Sequence, residues 1–155
     1  MAICALDKEG IDQIIKEIKL KGVDAIGVIC DVMNLEDTDK VMKTILDAWG
    51  TIHILVNNVG GGGRWGSPVV EETKEEVWLE VYNKNALAAV RFTMKSIPLM
   101  KKQKWGRVVT IASIHGAEGG GRPWFTMAKS AEISLMKTLA MNPDLTKEGI
   151  TFNSV

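Results

Sequence analysis

Apolar runs and helical patterns alternate along this chain without a break, and few folds accommodate that order. Ala2 to Leu6 is a short apolar run and reads as a strand. Ile11, Ile14, Ile15 and Ile18 follow at the spacing of one helix face. Gly22 stops that helix. Ala25 to Cys30 is a second apolar run, ending in Asp31. Asn34 caps the next helix, whose inward face is Met42, Ile45, Leu46 and Trp49, and Gly50 ends it. Ile52 to Val56 is a third strand. After a glycine-rich stretch, Thr73 with Glu76 three residues on forms a capping-box pattern that opens a long helix. Pro98 is expected to kink or end it. Arg107 to Ile111 is a fourth strand, a helix covers Trp124 to Met141, and Asn142-Pro143 stops it. Ile150 to Val155 is the last strand. The resulting β-α-β-α-β-α-β-α-β order predicts an α/β fold, with a Rossmann-like parallel sheet of about five strands and helices on both faces.

Composition removes several function classes. The chain has 155 residues and 46% apolar side chains, enough for one core. Lys plus Arg equals Asp plus Glu at 19 each, so no basic excess points to nucleic acid. No apolar run approaches a membrane span, and the opening Met1-Ala-Ile-Cys-Ala-Leu is too short for a signal peptide. A cytoplasmic location is expected. Cys4 and Cys30 sit inside strand-like runs and read as free, buried thiols. His53 and His115 are the only histidines, and no metal site is expected.

In parallel sheets ligands bind beyond the carboxyl ends of the strands. The residues to inspect are therefore Asp31, the Asn57-Asn58-Val59-Gly60 turn, and Ser113 to Gly116. Lys129 follows Ser113 by 16 residues, and Asn85 precedes it by 28. Ser113 as a hydrolase nucleophile lacks the Gly-x-Ser-x-Gly elbow. Gly61, Gly63 and Gly66 spell a literal Gly-x-Gly-x-x-Gly, yet Pro68 and an extended stretch follow where a dinucleotide fingerprint needs a helix.

Together these segments resemble the short-chain dehydrogenase/reductase family. Ile54-Leu55-Val56-Asn57-Asn58-Val59-Gly60 is similar to its Leu-Val-Asn-Asn-Ala-Gly segment. Trp78 with Asn85 resembles the helix of the catalytic asparagine. Gly106-Arg107-Val108-Val109-Thr110-Ile111-Ala112-Ser113 resembles the strand that delivers the catalytic serine. Lys129-Ser130-Ala131 resembles the end of its Tyr-x-x-x-Lys motif. Asp31-Val32 resembles the pair touching the adenine ring, and Gly149 to Val155 the strand leading to the family's Pro-Gly. The resemblance spans residues 2 to 155. It implies an NAD(P)-dependent oxidoreductase acting on a small-molecule carbonyl or alcohol. Its catalytic positions would be Asn85, Ser113, Phe125 and Lys129. Its cofactor-binding positions would be Asp31, Val32, Asn57, Val59, Gly60 and Lys129. Neither nucleic acid nor membrane is an expected partner, and a homodimer or homotetramer is.

Two departures qualify the resemblance. The family opens with a strand and a Gly-x-x-x-Gly-x-Gly turn that grips the cofactor pyrophosphate. Residue 2 already matches the family's second strand, so residues 1–155 read as one incomplete domain, without the family's first strand and its carboxyl-terminal part. The second strand should then leave an edge open, and cofactor binding by this stretch alone should be weak. Ala5-Leu6, with Asp7-Lys8 beyond, leaves NAD and NADP both open. The second departure is Phe125, four residues before Lys129, where the family has its tyrosine acid–base. General acid–base catalysis contributes about 10²–10⁴ in rate, so the ordinary route is impaired. His115 stands on the same face as Ser113 if the backbone stays extended, and an imidazole titrates near neutral pH. Tyr82, one helical turn from Asn85, is a second substitute. A different class of reading is a non-catalytic binding or oligomerisation module.

Overall fold

The computed structural model describes residues 1–155, which fall into two compact units, Met1–Ile52 and His53–Val155. The first unit holds β1 (Ala2–Ala5), α1 (Lys8–Leu20), β2 (Ile26–Ile29) and α2 (Leu35–Trp49). β1 and β2 are parallel, with Ala2 opposite Ile26 and Ala5 opposite Ile29. Asn34 caps α2 as its sequence position predicts: Oδ1 accepts the N–H of Glu36 at 2.8 Å and that of Asp37 at 3.4 Å. Gly50 closes the helix in the left-handed conformation, φ 71°, donating to Leu46 O. Cys30 is buried, Cys4 half-buried, and both are free thiols. Burial pushes the Cys30 thiol up to about 12.

The second unit begins with β3 (Ile54–Asn57) and a glycine-rich loop that ends in a 3₁₀ turn at Val70–Glu72. α3 (Glu75–Tyr82), a π-helical turn (Asn83–Leu87) and α4 (Ala88–Lys102) then run on as one rod. β4 (Gly106–Thr110), α5 (Ile114–Glu118), α6 (Pro123–Ala140), α7 (Pro143–Thr146) and β5 (Ile150–Ser154) complete it. The strand order is β3-β4-β5, all parallel, with Asn57 opposite Thr110 and Thr110 opposite Ser154. α4 packs on β3 and β4, and α6 packs on β4 and β5. All five expected strands are present. They pair as a couplet and a triplet, so β1 has one hydrogen-bonded neighbour, as does β3.

The structure corrects four local expectations. Thr73 does not cap α3, whose first residue is Glu75 behind Lys74. Its hydroxyl instead accepts the Ser67 N–H at 3.0 Å, fastening the preceding loop. Pro98 lies inside α4 without ending it, and the helix continues to Lys102. Packing of Phe92, Ser96 and Met100 into the interior holds both sides of the proline in place. Ser113 is followed by a short helix rather than extended chain, so His115 does not share its face. Finally, β3 is not covered on both faces: Ile54 and Val56 are 60% and 55% exposed.

Candidate active site

Asn85 makes the first half of the site from within the π-helical turn. In an α-helix its backbone N–H would bond Val81 O. Here the side-chain Nδ2 donates to that carbonyl at 2.7 Å. The ladder opens to the wider spacing, with Ala88 N–H donating to Asn83 O, and a π turn results. This places a fully buried amide against the loop after β3. Nδ2 also donates to Gly61 O at 2.8 Å, and Oδ1 accepts the Gly61 N–H at 3.0 Å. The amide group is thus spent on the glycine loop, which it clamps from both sides.

The loop itself is built for close approach. Gly60 has no room for a side chain: a Cβ there would stand 2.6 Å from Asn85 Oδ1 and 2.8 Å from Lys129 Nζ. Gly62 O accepts the indole N–H of Trp124 at 3.1 Å. Arg122 donates to Ser67 O and Pro68 O at 3.0 and 2.9 Å. Asn57, expected to face a cofactor, instead donates from Nδ2 to Thr93 at 3.1 Å and Thr110 at 3.2 Å. Its side chain ties the end of β3 to α4 and β4.

Lys129 makes the second half. It lies on α6 and is 4% exposed. Nζ donates to Ile111 O at 3.0 Å and to Glu132 Oε2 at 3.0 Å. Two of its three N–H bonds are engaged. Gly116 on α5 fits only because it lacks a Cβ, which would sit 2.7 Å from the Lys129 backbone. Ser130 Oγ donates to Gly116 O at 2.7 Å, so α5 is seated on α6. Ser113 heads α5 as its N-cap and accepts the His115 N–H at 3.2 Å. Its hydroxyl hydrogen is left to donate elsewhere.

Position 125 is occupied by a ring. Phe125 packs with Trp65, Val77, Trp78 and Tyr82 against the buried Val81, Trp124 and Ala128. Lys129 Nζ lies 5.8 Å from the centre of the Phe125 ring. Tyr82 is therefore part of the same aromatic wall. One ring nitrogen of His115, Nδ1, lies 3.0 Å from Gly119 O. Asp31 and Val32 belong to the first unit. Asp31 Oδ1 accepts the Met33 N–H at 2.9 Å, and Val32 is buried.

Sequence reasoning missed Glu132. It is 1% exposed, and burial pushes its carboxyl up by more than the Lys129 hydrogen bond and charge pull it down. The signal was present: an acid three residues after Lys129, with Ile133 and Met136 on the following turn. A carboxylate at that spacing reaches a lysine on the same helix.

The family model for short chain dehydrogenases matches residues 1–155. A 3-oxoacyl-[acyl-carrier-protein] reductase of Synechocystis sp. is 34% identical over 145 residues, which are 93% of this chain and 57% of the relative. Among solved structures, an actinorhodin polyketide ketoreductase with NADPH is 29% identical, with a TM-score of 0.88, over 99% of this chain and 58% of that one. An NAD⁺-bound xylitol dehydrogenase is 26% identical, also at 0.88, with the same coverage. The chain thus spans somewhat under three fifths of the length of the proteins it matches.

Proposed function

The chain belongs to the short-chain dehydrogenase family, and we propose that the protein it forms, or forms part of, is an NAD(P)-dependent oxidoreductase acting on a carbonyl or hydroxyl carbon. Both units are read as parts of one Rossmann-type domain, which the family match across 1–155 supports. The observation that carries the proposal is the convergence of two buried polar side chains, Asn85 and Lys129, on the space a Cβ of Gly60 would fill, three residues beyond β3. That glycine position is a cradle with no Cβ, and the lysine beside it keeps one N–H uncommitted. These features fit a nicotinamide ribose, whose hydroxyls accept such a donor.

A bound nicotinamide cofactor supplies or accepts the hydride. The chain's own residues do the rest. Asn85 fixes the glycine loop, Lys129 binds the ribose, and Ser113 donates a hydrogen bond to the substrate oxygen. Asp31 and Val32 serve the adenine end, and Val59 and Gly60 give backbone against which a flat ligand lies. The relatives named for 3-oxoacyl and polyketide reduction make a 3-oxoacyl thioester the first substrate class to test. The test is reduction of an acetoacetyl thioester by the full-length gene product with NADH and with NADPH, followed by loss of absorbance of the reduced cofactor. Turnover supports the reading. Failure to bind either reduced cofactor in a fluorescence titration sinks it. Binding without turnover of any carbonyl or alcohol leaves a non-catalytic module instead.

A further inference from the structure

Packing does not explain why Glu132 is a glutamate. Its side chain is 1% exposed, that of Lys129 is 5% exposed, and N and O are 3.0 Å apart. Burying two charges costs about as much as their attraction returns, and well-packed apolar side chains often serve as well or better. The bond between the two spans a single turn of α6 and joins no second element. The three atoms nearest the space beside Gly60 are Asn85 Oδ1, Lys129 Nζ and Lys129 Cε. Glu132 is not among them, so whatever it does for the site it does through the lysine. An ammonium carries three N–H bonds on a freely turning Cε–Nζ axis. One acceptor stops that rotation. Two acceptors, Ile111 O and Glu132 Oε2, each at 3.0 Å, also fix where the nitrogen lies. The direction of the third N–H then follows from the tetrahedral geometry.

We propose that Glu132 is a positioning residue for the cofactor: its carboxylate holds the Lys129 ammonium so that the remaining N–H is aimed at the nicotinamide ribose. The proposal rests on the oxidoreductase reading above. Glu132 touches neither cofactor nor substrate and takes part in no bond change. It supplies the counter-charge that keeps the nitrogen inside, and the second acceptor that fixes its orientation. Without it, a buried ammonium has lost its partner and turns toward any other acceptor within reach. The adenine end of the cofactor meets other residues in that reading, so the influence of Glu132 is confined to ligands that carry the second ribose.

The test measures affinities on the full-length gene product. Reduced cofactor is titrated by fluorescence. ADP-ribose, which keeps the second ribose, and ADP, which lacks it, are measured in competition against it, each with the 2′-phosphate if NADPH is the form that binds. Lys129→Ala should weaken reduced cofactor and ADP-ribose by about tenfold or more, the effect of one hydrogen bond from a charged donor, and leave ADP as it was. Glu132→Gln removes the counter-charge. It should weaken the same two ligands by about threefold or more, again sparing ADP, and should weaken nothing further once Lys129 is alanine. Glu132→Asp keeps the charge one methylene further from Nζ and serves where the amide form is too unstable to titrate. Its loss should fall on the same two ligands and be smaller. A loss shared equally by ADP marks a structural role and overturns the proposal. So does unchanged affinity for all three ligands in the Glu132 variant titrated, or a Glu132→Gln loss that persists in full beside Lys129→Ala. Each of these leaves the oxidoreductase reading standing. If the wild type binds no reduced cofactor, that reading fails and takes this proposal with it.

Discussion

Two polar clusters lie inside the second unit, and they are built on opposite principles. Asn57, Thr93 and Thr110 form a neutral one: a single amide group donates to two hydroxyls fully buried at the meeting of β3, α4 and β4. Lys129 and Glu132 form a charged one on a single helix. The neutral cluster joins three elements, and each bond in it is an ordinary one worth about 0.5–1.5 kcal/mol net. The charged cluster joins nothing but its own helix and the carbonyl of Ile111. Its one tertiary hydrogen bond is the Lys129 donation to Ile111 O. The difference separates polar burial spread over three elements from polar burial centred on one helix.

Removing one member tests that contrast most severely. Glu132→Leu leaves the buried Lys129 ammonium without its counter-charge, and should cost about 3–5 kcal/mol of folding stability. Urea unfolding followed by tryptophan fluorescence measures it. A cost no greater than that of a surface substitution would show that the lysine finds water or another partner, and the two clusters would then differ less than their burial indicates.

Asn57→Leu should cost less, about 1–3 kcal/mol, because it strands two neutral hydroxyls rather than a charge. The same unfolding experiment ranks the two. A larger loss for Asn57→Leu would make the neutral cluster the heavier contributor to the fold. Asn57 also shows how much of the site the sequence made legible. The turn after β3 and the alternation of strands and helices were readable, because periodicity and strand-end placement are local properties, while Asn85, Ser113 and Lys129 were singled out by the family resemblance. What each side chain does there was not readable. Asn57 was expected to face a ligand and serves β4 and α4. Asn85 lies in a π turn and its side chain bonds the Val81 carbonyl, neither of which residue spacing expresses. Thr73 and Glu76 satisfy both parts of a capping-box pattern, yet the loop residue Ser67 claims the Thr73 hydroxyl first. Glu132 went unnoticed because a glutamate on a helix is ordinarily solvated, and its spacing from Lys129 outweighs that expectation only once its burial is known.

The pH dependence sharpens the comparison in a gentler way. Burial holds the Glu132 carboxyl above the ordinary glutamate value of 4.5. The folded state therefore binds this proton more tightly than the unfolded chain does. Stability from that difference is fully present below about 4.5 and is lost as pH rises through the raised folded value. Glu132→Gln has no such proton to lose. Thermal unfolding from mildly acid to neutral pH should show the wild type losing ground to Glu132→Gln as pH increases. The neutral cluster has no titrating member, so Asn57→Leu should keep a constant offset from wild type across the same range. An opposite slope for Glu132→Gln would mean that the Lys129 attraction outweighs burial.

The smallest expected effect is the most informative. Lys129→Met with Glu132→Leu removes both charges together and keeps the side-chain bulk. If the charged cluster exists for the chemistry of the site, the fold has no need of it, and the double variant should match wild-type stability within about 1 kcal/mol or exceed it. Each single replacement is costly and the pair is not, so the coupling between the two positions should be large and of opposite sign to the single losses. Removing the whole neutral cluster, with leucine at 57 and valine at 93 and 110, gives no such recovery. Its partners lie on three different elements, and apolar replacements must be accommodated at all three. A double variant as unstable as Glu132→Leu alone would place the lysine–glutamate pair among the interactions that hold α6 in the fold, and its catalytic meaning would have to be argued from kinetics without support from thermodynamics.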